Sequence, residues 1–222
     1  MMEKGKFIVI EGLDGSGKST QTEILQKRLG DAVRFVKFPD YDDPSSTLVK
    51  MYLRGEFGSS ADEVNAYATS LLFTVDRFAS FKRHWGEDYL NGRSILCDRY
   101  TTSNAVHQMS KMPRDEWETY LDWLYETEFK KVAIPRPDAV IFLDVPVNVS
   151  QRLMSERYLG DEGKKDIHEK DVDYLEHCYN CALFAAEYLG WNVIRCTDGE
   201  NMRPIDDIAD EIYGIVEKAL AE

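Results

Sequence analysis

Gly12-Leu13-Asp14-Gly15-Ser16-Gly17-Lys18-Ser19 fits G-x-x-x-x-G-K-[ST] at every fixed position. Each residue type has a chemical reason to be there. Glycines let a backbone wrap tightly enough for successive N–H groups to converge on phosphate oxygens. A helix opening near Lys18 adds its positive dipole end. Lys18 supplies a mobile cation for β- and γ-phosphates, and the Ser19 hydroxyl is placed for Mg2+. The candidate ATP contacts run from Gly12 through Asp14, Gly15 and Ser16 to Gly17, Lys18, Ser19 and Thr20. By itself the pattern specifies a nucleoside triphosphate and no more. GTPases, ATPases and kinases share it, and no Asn-Lys-x-Asp guanine-reading run occurs in the chain.

Asp98-Arg99-Tyr100 follows the apolar run Ser94–Cys97. A carboxylate at the carboxyl end of a strand beside the phosphate loop can hold Mg2+ or a magnesium-bound water, so Ser19 and Asp98 are the candidate metal contacts. Arg99 would then project into the cleft between two nucleotides, where charge spreads over a phosphoryl group in transit. The plainer alternative is a charged pair at a strand end; the phosphate loop favours the functional one.

These groups need a scaffold. Five short apolar or β-branched runs stand out: Phe7–Ile10, Val33–Phe38, Ser94–Cys97, Ala139–Val145 and Asn192–Cys196. Nearly continuous hydrophobicity predicts strands buried on both faces, as in a parallel sheet. Helical patterns separate them, over 19–29, 62–84, 114–130, 148–157, 169–189 and 204–221. That alternation predicts an α/β fold, a doubly wound five-stranded parallel sheet flanked by helices, with ligands at the carboxyl ends of its strands.

A chain of 222 residues suits one such domain, 1–222. The net charge of −13 argues against a dedicated nucleic-acid binder, yet a few basic groups can still dominate one cleft. No apolar run is long enough to span a membrane and no signal peptide is evident, so a cytoplasmic protein is expected. Cys178 and Cys181 form a lone C-x-x-C in a helical stretch; two thiols on one helix face are the simpler reading than half a zinc site.

Taken in order, Ile10–Thr20, Phe38-Pro39-Asp40-Tyr41, Leu72-Phe73-Thr74-Val75-Asp76-Arg77, Asp98-Arg99-Tyr100 with Ser103-Asn104, and Pro135-Arg136-Pro137-Asp138 resemble the thymidylate kinase family over nearly the whole chain. The resemblance implies a P-loop NTPase fold with a short lid, and phosphorylation of dTMP to dTDP by ATP and Mg2+. It implies that Phe73 stacks on thymine and Arg77 bonds its carbonyl edge. Four residues apart on a helix, the two would face one cleft, and a donor-only guanidinium suits the thymine O4 acceptor. Asp14 resembles an acidic residue near the deoxyribose 3′-hydroxyl and the magnesium region; it needs a positive partner such as Arg99. Phe38 and Tyr41 match the loop that approaches the acceptor phosphate. Asn104 matches a residue near the base's polar edge, and Ser103, also a candidate acceptor contact, precedes it. His107 stands where several bacterial members carry a tyrosine close to the sugar 2′ position. A smaller histidine weakens the expected exclusion of a ribose hydroxyl, and a helix-surface role is the alternative.

Residues 152–169, with Arg152, Arg157, Lys164 and Lys165 around two glycines, resemble the family's lid. Gly15 and Ser16 occupy the phosphate loop where eukaryotic-type members carry an arginine. The lid is therefore expected to supply the catalytic cation, Arg157 first and Lys165 second, with Lys18, Arg99 and Asp14 completing the catalytic set. Asp166 and Glu169 resemble an acidic lid-end motif facing the acceptor. Family members are usually homodimers, so a homodimer is implied. Two rivals stay open on sequence: a kinase acting on a nucleoside or on another monophosphate, and a slow P-loop switch with a protein partner.

Overall fold

The computed structural model describes residues 3–58, 60, 63–157 and 172–222, the side chain of residue 157 excepted. In chain order the elements are β1 (Phe7–Glu11), α1 (Lys18–Leu29), β2 (Val33–Lys37), α2 (Thr47–Leu53), α3 (Ala66–Ser80) and α4 (Gly86–Leu90). There follow β3 (Ser94–Asp98), α5 (Thr102–His107), α6 (Trp117–Tyr125), β4 (Ala139–Asp144) and α7 (Val147–Arg157). The chain closes with α8 (Val172–Leu189), β5 (Asn192–Arg195), a hairpin of β6 (Thr197–Asp198) and β7 (Asn201–Met202), and α9 (Ile205–Ala221).

Five strands form one parallel sheet in the order β2-β3-β1-β4-β5. The central strand, β1, is buried along its whole length. Successive side chains on a strand point to opposite faces, so Phe7 and Val9 pack one way and Ile8 and Ile10 the other. The first face joins Cys97, Phe142, Tyr120, Cys178 and Cys181 in one core. The second joins Leu96, Ile141 and Leu143 to Leu25 of α1 and Ile208, Ile212 and Val216 of α9. Both cysteines of the C-x-x-C pair are buried, unbridged thiols.

All five predicted strands form, within a residue or two of the expected ends. The helices differ more. The segment predicted from 62 to 84 begins, among the described residues, at Ala66, where the Asn65 side chain accepts the Ala68 N–H as an N-cap. It then loosens into a π-helical turn over Phe81–Trp85. The segment predicted over 114–130 is a 3-10 turn, then α6, then a second π-helical turn over Glu126–Lys131. Among the described residues, α2, α4, α5 and the β6–β7 hairpin were not anticipated. Each is too short to display a helical or alternating period.

Parallel pairing has the consequence that matters for chemistry. Ile10 of β1 lies opposite Asp98 of β3. The phosphate loop and the Asp98-Arg99 segment therefore leave the sheet side by side, at the same edge.

Candidate functional site

The loop after β1 is shaped by two left-handed glycines. Gly15 has φ 76° and Gly17, which caps α1, has φ 84°; a residue with a Cβ is disfavoured at both. At Gly15 space forbids it as well, since a Cβ would sit 2.7 Å from the Ser150 carbonyl oxygen at the start of α7. Lys18, in the first turn of α1, is buried and folds back to donate to the Gly12 and Leu13 carbonyls at 2.6 and 3.0 Å. Burial pushes its pKa down to about 8, with the Arg99 charge adding to the effect and Asp14 and Glu11 opposing it. Ser16 is buried, whereas Ser19 and Thr20 are exposed on the first turn of α1.

Arg99 sits at φ 66°, a left-handed conformation that costs a non-glycine residue about 1–2 kcal/mol. Several contacts offset that strain. Its N–H donates to the Ile10 carbonyl at 3.1 Å, tying β3's exit to β1. Its guanidinium donates to Asp14 Oδ1 at 2.6 Å and to Glu11 Oε1 at 3.2 Å. It also approaches Ser103 Oγ at 3.4 Å and His107 Nε2 at 3.3 Å. Glu11 is wholly buried and fully engaged. It accepts the Gly12 N–H at 3.0 Å and the Thr102 and Ser103 hydroxyls at 2.6 and 2.7 Å. Burial alone would raise the pKa of Asp14, but Arg99, then Lys18 and His107, hold it well below the usual carboxylate range. Arg99 has its pKa raised: burial opposes the charge, and Asp14, Glu11 and Asp98 outweigh it.

Asp98 is buried, with Oδ2 3.5 Å from Lys37 Nζ and Oδ1 lacking any hydrogen-bond partner. An unpartnered buried carboxylate oxygen calls for an explanation. Mg2+ fits: it prefers one or two carboxylates plus waters and phosphate oxygens to a cage of protein ligands. No group of three or more His, Cys, Asp or Glu side chains poised for a metal occurs among the described residues. Asp98 and the Ser19 hydroxyl are the groups that would take such an ion.

Beside Arg99 opens a pocket of about 190 Å3. Nine side chains singled out for the acceptor line it: Asp14, Phe38, Tyr41, Phe73 and Arg77, then Arg99, Ser103, Asn104 and His107. Asp166 and Glu169 lie outside the described residues, as do Lys164, Lys165 and the Arg157 side chain, so the lid assignments have no structural counterpart here. Phe73 is half-buried and meets Tyr52 edge-on at 6.2 Å between centroids. Tyr41 is carried on a loop pinned to α3 by Asp76, which accepts the Asp40 N–H at 3.0 Å and the Ser45 hydroxyl at 2.7 Å. Burial raises the pKa of Asp76.

Arg77 is buried rather than solvated. Its Nε donates to Glu128 Oε2 at 2.9 Å, its Nη2 pairs with Glu128 Oε1, and its Nη1 reaches the Tyr100 carbonyl at 3.4 Å. His107 approaches the Tyr174 hydroxyl through Nδ1 at 3.4 Å. Glu11, Glu128, Tyr52 and Tyr174 were not singled out from the sequence. Only Glu11 carried a signal, as a charged residue closing an otherwise apolar strand next to the phosphate loop.

A parallel sheet ordered 2-3-1-4-5, a glycine-rich loop after its central strand, and beside that loop a pocket lined by Arg77 and Arg99 define a P-loop NTPase fold. The family model described as Thymidylate kinase matches residues 10–205. The chain is 30% identical over 221 residues to a probable thymidylate kinase of Thermococcus gammatolerans, spanning 97% of this chain and 98% of that one. It is 29% identical to the thymidylate kinase of Plasmodium falciparum, spanning 99% and 93%. The solved thymidylate kinase of Candida albicans superposes with a TM-score of 0.72 at 24% identity, over 97% and 92% of the two chains, and so shares the fold. The chain belongs to the thymidylate kinase family.

The depressed pKa of Lys18 has a measurable consequence. Its proton is held below about pH 8 and lost above it in the free protein. The kcat/KM for ATP should therefore fall on the alkaline side with an apparent pKa near 8. Lys18→Arg should remove that limb at reduced overall activity; a limb that persists in this variant would assign it to another group.

Proposed function

We propose that this chain transfers the γ-phosphoryl group of ATP, with Mg2+, to dTMP, giving dTDP and ADP. The observation that carries the reading is the placement of Arg99 between two sites. One side meets the phosphate loop through Asp14; the other lines a pocket that holds an aromatic ring, Phe73, and a guanidinium, Arg77. ATP would lie along the loop amides and Lys18. The dTMP phosphate would lie toward Arg99 and Tyr41, with thymine against Phe73. Asp98 and Ser19 would hold Mg2+, which would supply neutralisation of the charge that develops on the phosphoryl group.

A phosphate monoester is largely ionised near neutral pH, so its oxygen attacks the γ-phosphorus without a strong general base. Catalysis is then positioning plus charge stabilisation by Lys18 and Arg99. Asp14, whose carboxyl stays ionised beside Arg99, orients that guanidinium and accepts from the sugar 3′-hydroxyl. The lid, about 152–169, would close over the phosphates and bring Arg157 to the transferring group; support for this is the resemblance to lid-bearing members and the lack of an arginine at Gly15 and Ser16. We read the chain as one domain acting in the cytoplasm. No described helix is long and apolar enough to cross a membrane.

A homodimer fits the surface of α3. Leu71, Val75 and Phe78 recur at helical spacing and are exposed, with Leu48 of α2 exposed as well. A second copy packed on that stripe would cover it. Val75→Asp should yield a monomer by light scattering; a dimer of unchanged mass would place the contact elsewhere.

Acceptor choice is tested by ADP release with dTMP, dUMP, dCMP, AMP and thymidine in parallel. dTMP should give the highest kcat/KM. Preference for thymidine would favour a nucleoside kinase, and ATP consumption indifferent to every acceptor would favour a P-loop switch. Phe73→Ala should raise KM for dTMP about 5- to 150-fold, the equivalent of about 1–3 kcal/mol of base stacking, with a smaller change in kcat. An unchanged KM removes Phe73 from the base site.

A further inference from the structure

Glu128 has no counterpart among the groups that bind either nucleotide, yet it is wholly buried at the heart of the acceptor side. It lies in the π-helical turn Glu126–Lys131 that follows α6. Such turns are rare and are frequent at functional sites. Its two oxygens grip one edge of Arg77: Oε2 takes Nε at 2.9 Å, and Oε1 takes Nη2. A forked carboxylate–guanidinium contact fixes the plane of the guanidinium as well as its position. The opposite edge, Nη1, is left toward the Tyr100 carbonyl and the pocket that Arg77 lines.

The remaining capacity of the carboxylate is also used. Oε1 accepts the Thr74 hydroxyl at 2.8 Å, and Oε2 accepts the Thr101 hydroxyl at 2.7 Å. The Asn104 amide approaches Oε1 at 3.5 Å. These donors come from three places: α3, the segment just after Asp98-Arg99-Tyr100, and α5. One carboxylate thus links the arginine on the base side to the strand-end segment that carries the arginine on the phosphate side.

Buried ion pairs are weak devices for stability, because desolvation offsets most of the attraction and a packed apolar pair could replace them. A fully hydrogen-bonded one does fix geometry. We infer that Glu128 is a positioning residue for acceptor recognition: it holds the Arg77 guanidinium in the plane that presents Nη1 to a pyrimidine carbonyl, and keeps that plane in register with Arg99 through Thr101. This rests on the reading that dTMP occupies the Phe73–Arg77 pocket.

The test compares wild type with Glu128→Gln, which keeps the shape but turns one acceptor into a donor facing Arg77. Initial rates are measured with dTMP and dCMP as acceptors, and with ATP varied at saturating dTMP. Glu128→Gln should raise KM for dTMP about tenfold or more and shrink the dTMP-over-dCMP ratio of kcat/KM, while KM for ATP stays within about twofold. A second variant, Thr101→Val, removes one hydroxyl from the carboxylate without leaving a charge unpaired; it should shift the same two quantities less. If Glu128→Gln does not fold by circular dichroism, Thr101→Val decides alone. A uniform loss of activity with KM for dTMP and acceptor preference unchanged would make Glu128 merely structural and overturn the inference. Wild type that shows no preference for dTMP would overturn the acceptor reading too, so the two failures are distinguishable.

Discussion

Arg99 cannot stand alone where the fold places it. A guanidinium taken from water into a cleft between two strand ends loses hydration that only opposite charge can replace, and removing one partner of a buried pair typically costs about 3–5 kcal/mol. Glu11 and Asp14 supply that charge from either end of the phosphate loop's entry, at 3.2 and 2.6 Å. The contact is possible because β1 and β3 are adjacent and parallel, with Ile10 opposite Asp98. The groups at this edge inherit their position from that pairing: the loop amides, Lys18, the unpartnered oxygen of Asp98, and the Arg99 wall of the neighbouring pocket.

A chain with net charge −13 that is proposed to bind two polyanions presents an electrostatic problem that the cleft would solve locally. Lys18, Arg99 and Arg77 converge on it, and each is buried or nearly so. Their neutralising carboxylates are distributed unequally. Glu11 and Glu128 are wholly enclosed and occupied with hydrogen bonds, whereas Asp14 stays about one-third exposed, facing the site. The enclosed pair is occupied by protein donors; Asp14, paired with Arg99, also lines the pocket. Lys18 is the least compensated of the three cations, consistent with its lowered pKa and with a group whose full complement of partners arrives with phosphate.

Much of this was legible in the residues. Strands buried on both faces declare themselves as short unbroken apolar runs, and all five were found that way. Gly12–Ser19 carries its chemistry in its spacing. Phe73 and Arg77 share a helix face because four residues make about one turn. What stayed hidden depends on local geometry that sequence does not encode simply. Glu128 lies in a π-helical turn after α6, a change of helical period that the residue pattern does not announce. Helix α5, six residues of which only Ala105 and Val106 are apolar, has no apolar stripe to reveal it, yet it brings Ser103, Asn104 and His107 to the pocket. Asp76 is buried on α3 where the 39–46 loop bonds to it, a contact between distant segments that no local pattern displays.

The central claim is spatial: triphosphate and pyrimidine monophosphate lie on opposite sides of Arg99. A crystal structure with dTMP and a non-hydrolysable ATP analogue tests it most directly. The account places the analogue's phosphates on the Gly12–Ser19 loop, the thymine ring against Phe73, and the acceptor phosphate within reach of Arg99. Thymine density anywhere else, with the Phe73–Arg77 wall contacting no ligand, would contradict it.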